Sequence, residues 1–347
     1  MSVCMPRVLF CAMKASSLTT RESRLGWVLA TVGGLVLFVY FVERVGIEEI
    51  AASVRRVGWA FLLVLLLSGL RFLARSTAWL LCVPSGHNLT LRHIFPAVLA
   101  GDAVGNLTPL SVLVGEPVKA LYLRHRIGLS RIVPALAVEN LFYTLSTVII
   151  IAVGASAVLI LINPPRSAWP GIGVPAVTLI LLVTAVHFII WTHTPLLSAS
   201  LRWLARRGLA EEFFLHVSEK VRNIEEQIQR DYPRDWKNIF LVASLEFLFH
   251  ALAILEVRLI LGLIADRPPT LVELFAFEAA NRLITIVFRF VPLRIGVDEA
   301  GTAMVANLLA FGSTTGVTMA IVRKGRMLFW VAIGIIAFTR RGLSWSK

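Results

Sequence analysis

Long apolar stretches, separated by short polar segments, run along almost the whole chain. Several of them approach or exceed the ~20 residues that an α-helix needs to cross the hydrocarbon core of a bilayer. Full membrane-spanning helices are predicted at six of these stretches, residues 25–42, 58–81, 132–162, 173–192, 238–264 and 316–338. The pattern therefore predicts an all-α polytopic membrane protein.

Two further apolar segments, 94–123 and 271–312, have a different pattern, because each carries proline, glycine and charged residues at its centre. Each is too long for one spanning helix and too interrupted for two. Broken backbone at membrane depth is tolerated where it is packed in protein or lines a wet cavity. We therefore expect both segments to form re-entrant helical hairpins.

One membrane domain, residues 25–338, accounts for most of the chain. Residues 1–24 are basic and lack the order of a cleavable signal peptide, so we interpret them as a cytosolic tail, or as an over-extended start with Met13 as the initiator. Residues 339–347 form a second cytosolic tail. The longest polar stretch, 193–237, carries apolar residues at helical spacing and predicts an amphipathic cytosolic helix at the membrane surface or under the bundle.

The positions of lysine and arginine indicate which loops face the cytoplasm. With both termini inside, the cytosolic side receives most basic residues, including Arg124, Arg126, Arg131, Arg202, Arg206, Arg207, Lys220, Arg222, Arg230, Arg234, Lys237, Arg340, Arg341 and Lys347. The predicted outside loops, 163–172 and 265–270, carry one arginine each. The 43–57 loop is an exception, with three arginines balanced by three glutamates.

The two interrupted segments resemble each other. Pro109 precedes Glu116 by seven positions, and Pro292 precedes Glu299 by the same distance. After each glutamate come an apolar helix, a glycine and a long span with a polar cluster, so the repeated units lie near 105–163 and 288–338. Three predicted spans separate the two segments, which places them on opposite sides of the membrane. This is an inverted-topology repeat, which many transporters use to build a midplane site.

The residues from Gly105 to Pro117, and Val-Pro-Leu-Arg-Ile-Gly-Val-Asp-Glu-Ala-Gly from Val291 to Gly301, resemble the lysylphosphatidylglycerol synthase transmembrane-region family, also called flippase-like. The second motif looks most like members associated with hopanoid biosynthesis. The resemblance implies a multi-span bundle that binds and translocates amphipathic lipids. Larger members carry a soluble aminoacyl-transferase domain, which we expect to be absent from this chain together with lysyl transfer to lipid.

Charged and polar residues inside the apolar segments are the candidate site, because a charge at the bilayer centre costs a few kcal/mol and persists where it faces a cavity or is paired. Some of them, such as Glu246, His250, Glu256 and Arg258, are best explained as ion pairs that fix helix packing. Glu116 and Glu299 are expected to approach one another near midplane. The substrate-binding candidates are Arg71, Arg75, Pro109, Glu116, Glu139, Asn140, Arg282, Arg289, Pro292, Arg294, Asp298, Glu299, Arg323 and Arg326.

Composition narrows the class of ligand. The chain is 57% hydrophobic and 16% charged, against about 25% charged in ordinary soluble domains, and its formal net charge is +13. The basic residues sit beside apolar spans, which favours topology signals and anionic lipid headgroups over nucleic acid. The three cysteines have no metal-binding spacing, and we expect no metal and no cofactor.

Three functions are compatible with these features. A lipid transporter, not an enzyme, of a bacterial inner membrane is favoured by the inverted repeat, with a phospholipid, polyprenyl phosphate or hopanoid as ligand. A membrane-embedded enzyme would need a nucleophile or a metal, and Glu116 with Glu299 is the best acid/base pair available. A scaffold subunit of a lipid-synthesis complex is allowed by the amphipathic loop. The oligomeric state stays open, and a homodimer is compatible with the sequence.

The topology can be tested with single introduced cysteines. Cysteines near Trp169 and near Asp266 should react with a membrane-impermeant maleimide in intact cells, whereas cysteines in the termini and in the 193–237 loop should not. Labelling near Trp169 or Asp266 only after permeabilisation would refute the six-span topology.

Overall fold

The computed structural model describes residues 55–84, 88–108, 111–162, 196–207 and 235–343, together with a few isolated positions elsewhere. The predicted span 25–42, almost all of the span 173–192, most of the 193–237 loop and Pro109 lie outside the described residues. The assignments made for those segments stay predictions.

The described residues contain helices and no strand, which confirms the all-α prediction. The helices are α1 (Ala60–Cys82), α2 (Leu91–Leu107), α3 (Ser111–Leu123), α4 (Leu129–Ile162), α5 (Leu196–Arg206), α6 (Trp236–Ile264), α7 (Leu271–Val287), α8 (Val297–Leu308) and α9 (Ser313–Leu343), with a 3₁₀ turn at Pro292–Arg294 between α7 and α8.

In the described part of the chain, three helices are long and apolar enough to cross a bilayer: Ala60–Cys82, Leu129–Val158 within α4, and Trp236–Ile264. They coincide with three predicted spans. The predicted span 316–338 is helical within α9, but Arg323, Lys324 and Arg326 interrupt its apolar sequence. These three side chains line a cavity between the helices.

Both interrupted segments form pairs of antiparallel helices. In α2 and α3, Gly115 lies against Gly105 and Gly101, and Lys119, one turn further along α3, lies against Gly101. In the second pair, Gly301 of α8 lies against Ile284, and Phe311 lies 5.9 Å from Phe277 near the start of α7.

The first helix of each pair begins in the same way. α2 and α7 each contain 17 residues and each follow a threonine N-cap in a capping box, Thr90 with His93 and Thr270 with Glu273. A capping box satisfies backbone N–H groups that have no partner within the helix. Two similar sequences therefore start two helices of equal length.

The bundle has two halves, α1–α4 and α6–α9, and each half packs a helix of its interrupted segment against the other half. α2 packs along α9 and α7 packs along α4, while α1 packs against α6. The α4–α7 and α2–α9 contacts both depend on a glycine at the point where the helices meet. A Cβ at Gly154 of α4 would collide with Ala279 and lie 2.7 Å from the Phe275 carbonyl oxygen, and a Cβ at Gly334 of α9 would collide with the Leu99 carbonyl and lie 2.6 Å from Ala103 Cβ. This exchange is what a two-fold relation between two repeats predicts.

Two apolar clusters lie at opposite ends of the bundle. One joins the C-terminal end of α1 to α2, α3, α4 and Val242 of α6, and the other joins Val64 of α1 to the C-terminal half of α6 and to α7, α8 and α9. The polar residues of α1 and α6 fall between the clusters. Arg71 is the central residue of α1, and His250 is the central residue of α6. A polar layer thus crosses the middle of the bundle.

The glycine crossings give a test of the packing. Gly154→Leu and Gly334→Leu should each lower the free energy of unfolding by at least about 1–3 kcal/mol, because the new side chain overpacks a helix contact. The measurement is thermal unfolding of purified protein in one detergent. Gly262→Leu is the matched control, since a Cβ there meets nothing within 4 Å. Equal effects at all three positions would contradict the crossings.

Candidate functional site

A cavity of about 470 Å³ lies within the polar layer and is lined by helices of both halves. Nine basic and three acidic side chains line it, together with aromatic and small polar residues. The basic residues are Arg71, Arg75, Lys119, Arg282, Arg289, Arg294, Arg323, Lys324 and Arg326, and the acidic residues are Asp102, Glu116 and Asp298.

A hydrogen-bonded chain crosses the first half. Arg75 Nε donates to Glu139 Oε1 at 2.7 Å, and Arg75 Nη2 donates to Asn140 Oδ1 at 3.3 Å. Asn140 Nδ2 donates to Glu116 Oε2 at 3.1 Å, and Lys119, one turn after Glu116 on α3, donates to Glu116 Oε1 at 2.7 Å. The chain ties α1, α3 and α4 together at the wall of the cavity.

Glu256 joins the remaining arginines of the central layer. It is completely buried on α6, where it accepts from Arg71 Nη1 at 3.1 Å and from Arg326 Nη1. Arg323 Nε lies 3.9 Å from its other oxygen. One carboxylate therefore holds guanidinium groups from α1 and α9, and its removal would leave them uncompensated.

Glu278 on α7 also compensates basic groups from more than one helix. It is completely buried and pairs with Arg282, one turn along the helix, with Nε at 2.6 Å from Oε1. Arg323 Nη2 lies 3.7 Å from Oε2, and His250 Nδ1 lies 3.8 Å from Oε1. His250 also lies within hydrogen-bond distance of Ser146, with Nε2 and Oγ 3.2 Å apart.

Aromatic rings support the guanidinium groups. Arg71 stacks over Phe249 at 4.5 Å from the ring centroid, and Arg282 approaches the same ring at 5.0 Å. Arg75 lies over Tyr143 at 4.1 Å. Cation–π contacts of this kind are stronger where water is excluded, so the rings help to hold these arginines in a buried layer.

A lysine of α9 stabilises the break between α7 and α8. Leu293 and Arg294 have φ angles of 52° and 47°, in a region that costs a non-glycine residue about 1–3 kcal/mol. Lys324 Nζ donates to the Leu293 carbonyl at 2.7 Å and reaches the Arg294 carbonyl at 3.3 Å. Pro292 starts the 3₁₀ turn. The lysine thus satisfies carbonyl groups that the interrupted helix leaves without partners.

Arg294 links this break to the first half. Its Nε lies 3.2 Å from Asp298, one turn along the chain, and its Nη1 donates to Asn106 Oδ1 at 3.3 Å. Asn106 in turn donates to Asp102 at 2.9 Å. The α2–α3 hairpin and the α7–α8 hairpin therefore meet through Arg294 and Asn106 at the cavity.

Arg289 differs from the other basic residues of the wall. It lines the cavity and is exposed, and among the described residues it has no carboxylate within 4 Å and no hydrogen-bond partner. Every other lysine or arginine of the wall is within 4 Å of at least one carboxylate oxygen. Arg289 is therefore the basic group that an external anion can bind without displacing a described partner.

Most of the sequence-predicted site residues meet at this cavity. Ten of the candidates line it: Arg71, Arg75, Glu116, Asn140, Arg282, Arg289, Arg294, Asp298, Arg323 and Arg326. Glu139 lies behind the wall, bonded to Arg75. Pro292 lies in the broken turn and does not line the cavity. Pro109 is outside the described residues.

Glu116 and Glu299, which are expected to approach one another near midplane, have different partners and different surroundings in the structure. Only Glu116 of the two lines the cavity. Glu299 is the third residue of α8, so its carboxylate accepts from the Gly296 backbone N–H at 2.7 Å and lies 3.3 Å from Lys324. Glu299 therefore caps α8, whereas Glu116 faces the cavity.

Sequence reasoning missed several residues of the wall. Lys119 and Lys324 complete the basic set, and Asp102 and Asn106 belong to the contact between the hairpins. Asp102 and Asn106 are one helical turn apart, as are Glu116 and Lys119, and polar residues at this spacing lie on one face of a helix. A search for this spacing within the interrupted segments would have found them.

The family model described as Lysylphosphatidylglycerol synthase TM region matches residues 26–334. Comparison with curated proteins gives no significant match, and comparison with solved structures gives none either.

Glu256 provides a test of the central network. Glu256→Gln keeps the shape of the side chain but removes the charge that compensates Arg71 and Arg326, so it should destabilise the protein by about 3–5 kcal/mol. Thermal unfolding in detergent measures the change. Glu226→Gln, at an exposed pair with Arg222, should cost below about 1 kcal/mol. A loss at Glu256 no larger than at Glu226 would show that the network is not needed for stability.

Proposed function

Because the chain belongs to the lysylphosphatidylglycerol synthase transmembrane-region family, a membrane family related to lipid handling, we propose that it is a flippase-like lipid transporter. In this proposal, the headgroup of an anionic amphipathic lipid binds in the cavity between the two halves, and the lipid then moves between the leaflets. The protein is a multi-pass membrane protein, and we place it in a bacterial inner membrane with both termini in the cytoplasm.

The unpaired guanidinium of Arg289 is the observation that carries the proposal. Charges in membrane segments that lack a protein partner usually face a cavity or a ligand path, and every other lysine and arginine of the wall has a carboxylate oxygen within 4 Å. An arginine fork matches the oxygen geometry of phosphate better than a lysine does. A phosphate-bearing headgroup would supply the negative charge that Arg289 lacks.

Apolar residues beside Arg289 offer a place for acyl or isoprenoid tails. Leu283, Ile286, Val287 and Phe290, on the last turns of α7 and just beyond it, are 44–58% exposed. These four residues form an exposed apolar surface next to Arg289, which lines the cavity. An amphipathic ligand could therefore place its headgroup inside and its tails along this surface in the bilayer.

The arrangement of the two halves suits transport. The cavity has the size of a headgroup, and helices of both repeats contribute its wall. Transporters with inverted repeats hold the substrate near the bilayer midplane and open it to either side by moving one repeat against the other. We propose this mechanism here, with the α2–α3 and α7–α8 hairpins as the moving parts.

The charges favour phospholipid or polyprenyl phosphate over a neutral hopanoid as the ligand. Nine basic groups face the cavity, whereas Glu139, Glu256 and Glu278 are buried behind the wall. The surface presented to a ligand is therefore positive. A sterol-like lipid without a phosphate would leave Arg289 uncompensated.

The test is lipid binding by arginine variants. Arg289→Gln and Arg294→Gln should each weaken binding of phosphatidylglycerol by about ten- to hundredfold, because a hydrogen bond to a charged group contributes about 1.5–3 kcal/mol. Native mass spectrometry of protein titrated with phosphatidylglycerol or phosphatidylcholine measures the effect. Arg258→Gln is the matched control, since Arg258 is exposed on α6 and does not line the cavity.

Transport is measured with the same variants in proteoliposomes that contain a fluorescent phosphatidylglycerol. If Arg289→Gln and Arg294→Gln bind and move this lipid as well as the parent does, the site is elsewhere and the arginines are structural. Conversion of the lipid to a new product by purified protein would favour the membrane-embedded enzyme. A folded parent that binds no lipid would favour the scaffold.

A further inference from the structure

Two carboxyl groups lie together outside the cavity wall, Glu139 on α4 and Glu246 on α6. Glu139 is 2% exposed and Glu246 is completely buried. Glu139 is an acidic neighbour of Glu246, and α4 and α6 are in contact one turn further on, where the ring centroids of Tyr143 and Phe249 are 5.6 Å apart. Neither the family match nor the proposed headgroup site gives this pair a role.

The pair has more acceptor oxygens than donors. Glu139 Oε1 accepts from Arg75 at 2.7 Å, whereas Glu139 Oε2 and both oxygens of Glu246 have no hydrogen-bond partner among the described residues. An ionised carboxylate in this position loses its hydration without compensation, which is one of the most costly arrangements in a protein interior.

The charged and titratable groups around the pair do not compensate its negative charge. α1 contributes Arg75 and the thiol of Cys82, and α3 contributes Lys119, which Glu116 already engages. Tyr143 follows on α4, and Asp102 of α2, which faces Lys119, is a further acid. His250, one turn after Glu246, lies against Ser146 and Glu278 instead. Four carboxyl groups, Asp102, Glu116, Glu139 and Glu246, thus surround the two cations Arg75 and Lys119.

We propose that Glu139 and Glu246 together hold one proton and form a proton-binding site linked to the cavity. A proton shared between two carboxyl groups turns one oxygen into a donor for the other group and removes one of two repelling charges. With this proton, the negative charge around Arg75 and Lys119 falls by one. The proton comes from water and returns to it, with no other reactant.

A continuous set of contacts links the proton to the ligand site. Glu139 contacts Arg75, Arg75 contacts Asn140, and Asn140 contacts Glu116; Arg75, Asn140 and Glu116 all line the cavity. An anionic headgroup that draws Arg75 towards itself weakens the hold of Arg75 on Glu139. The pair then binds its proton more tightly, so lipid and proton would be taken up together. This coupling rests on the proposed function, whereas the proton site itself does not.

Infrared spectroscopy tests the proton site without any ligand. The full-length protein in nanodiscs should show the C=O stretch of a protonated carboxylic acid at neutral pH, and Glu246→Gln should lose it. The glutamine imitates the protonated group, so this variant should fold and keep its thermal stability. Glu226→Gln, which removes a surface carboxylate, should retain the band. A parent without the band, or a folded Glu246→Gln protein that keeps it, would overturn the proposal.

The coupling is measured separately, with a pH indicator in weakly buffered nanodiscs. At the pH where the infrared band of the parent has half its full intensity, addition of short-chain phosphatidylglycerol to the parent should cause proton uptake, and Glu246→Gln should bind the same lipid without proton uptake. Equal proton uptake by both proteins would overturn the coupling even if the band is present. Loss of lipid binding in Arg289→Gln alone bears on the headgroup site, so the two proposals can fail independently.

Discussion

Charge compensation in an apolar bundle is the constraint on which the centre of this protein depends. Each guanidinium that leaves water loses hydration worth several kcal/mol, and a carboxylate, an aromatic face or a ligand must replace it. Glu256 and Glu278, both completely buried, bring arginines of α1, α7 and α9 to one level of the structure. The positions of these helices along one another therefore follow from the ion pairs as much as from apolar packing.

Besides charge compensation, the interrupted helices require hydrogen-bond donors for their unpaired carbonyl groups. Breaking a helix leaves carbonyl groups without partners, and at the centre of a membrane protein no bulk water replaces them. Lys324 supplies the partner for the break before α8, and its charge is compensated by Asp298 and Glu299. A charged residue within a spanning helix and a break in a neighbouring helix are thus two parts of one arrangement, which creates the polar space that the cavity occupies.

Much of the architecture could be predicted from periodicity alone. Long apolar runs predicted α1, α4 and α6, and proline with glycine at the centre of two segments predicted the helix pairs α2–α3 and α7–α8. The shared Pro-to-Glu spacing indicated the repeat, and the exchange of α2 and α7 between α9 and α4 agrees with it. Local sequence determines these features, because helix length, helix breaks and caps depend on neighbouring residues.

Side-chain contacts between different helices were harder to predict from the sequence, because they depend on which helix faces meet. Glu116 and Glu299 occupy equivalent positions in the repeat, yet Glu299 lies in the first turn of α8 and caps it, whereas Glu116 lies in the middle of α3 and reaches Asn140. Ion pairs were the preferred explanation for Glu246 and Glu256, and this holds for Glu256 with Arg71 and Arg326. Glu246 has a second carboxyl group as its neighbour, which charge spacing in one helix does not predict.

The central claim is that the polar layer is a headgroup site and not only a structural ion-pair network. The most direct measurement is electron cryomicroscopy of the protein in nanodiscs that contain phosphatidylglycerol. The account predicts headgroup density within hydrogen-bond distance of Arg289, with tail density along Leu283, Ile286, Val287 and Phe290. An empty cavity at a resolution that shows other bound lipids, with Arg289 paired to a protein carboxylate, would contradict it.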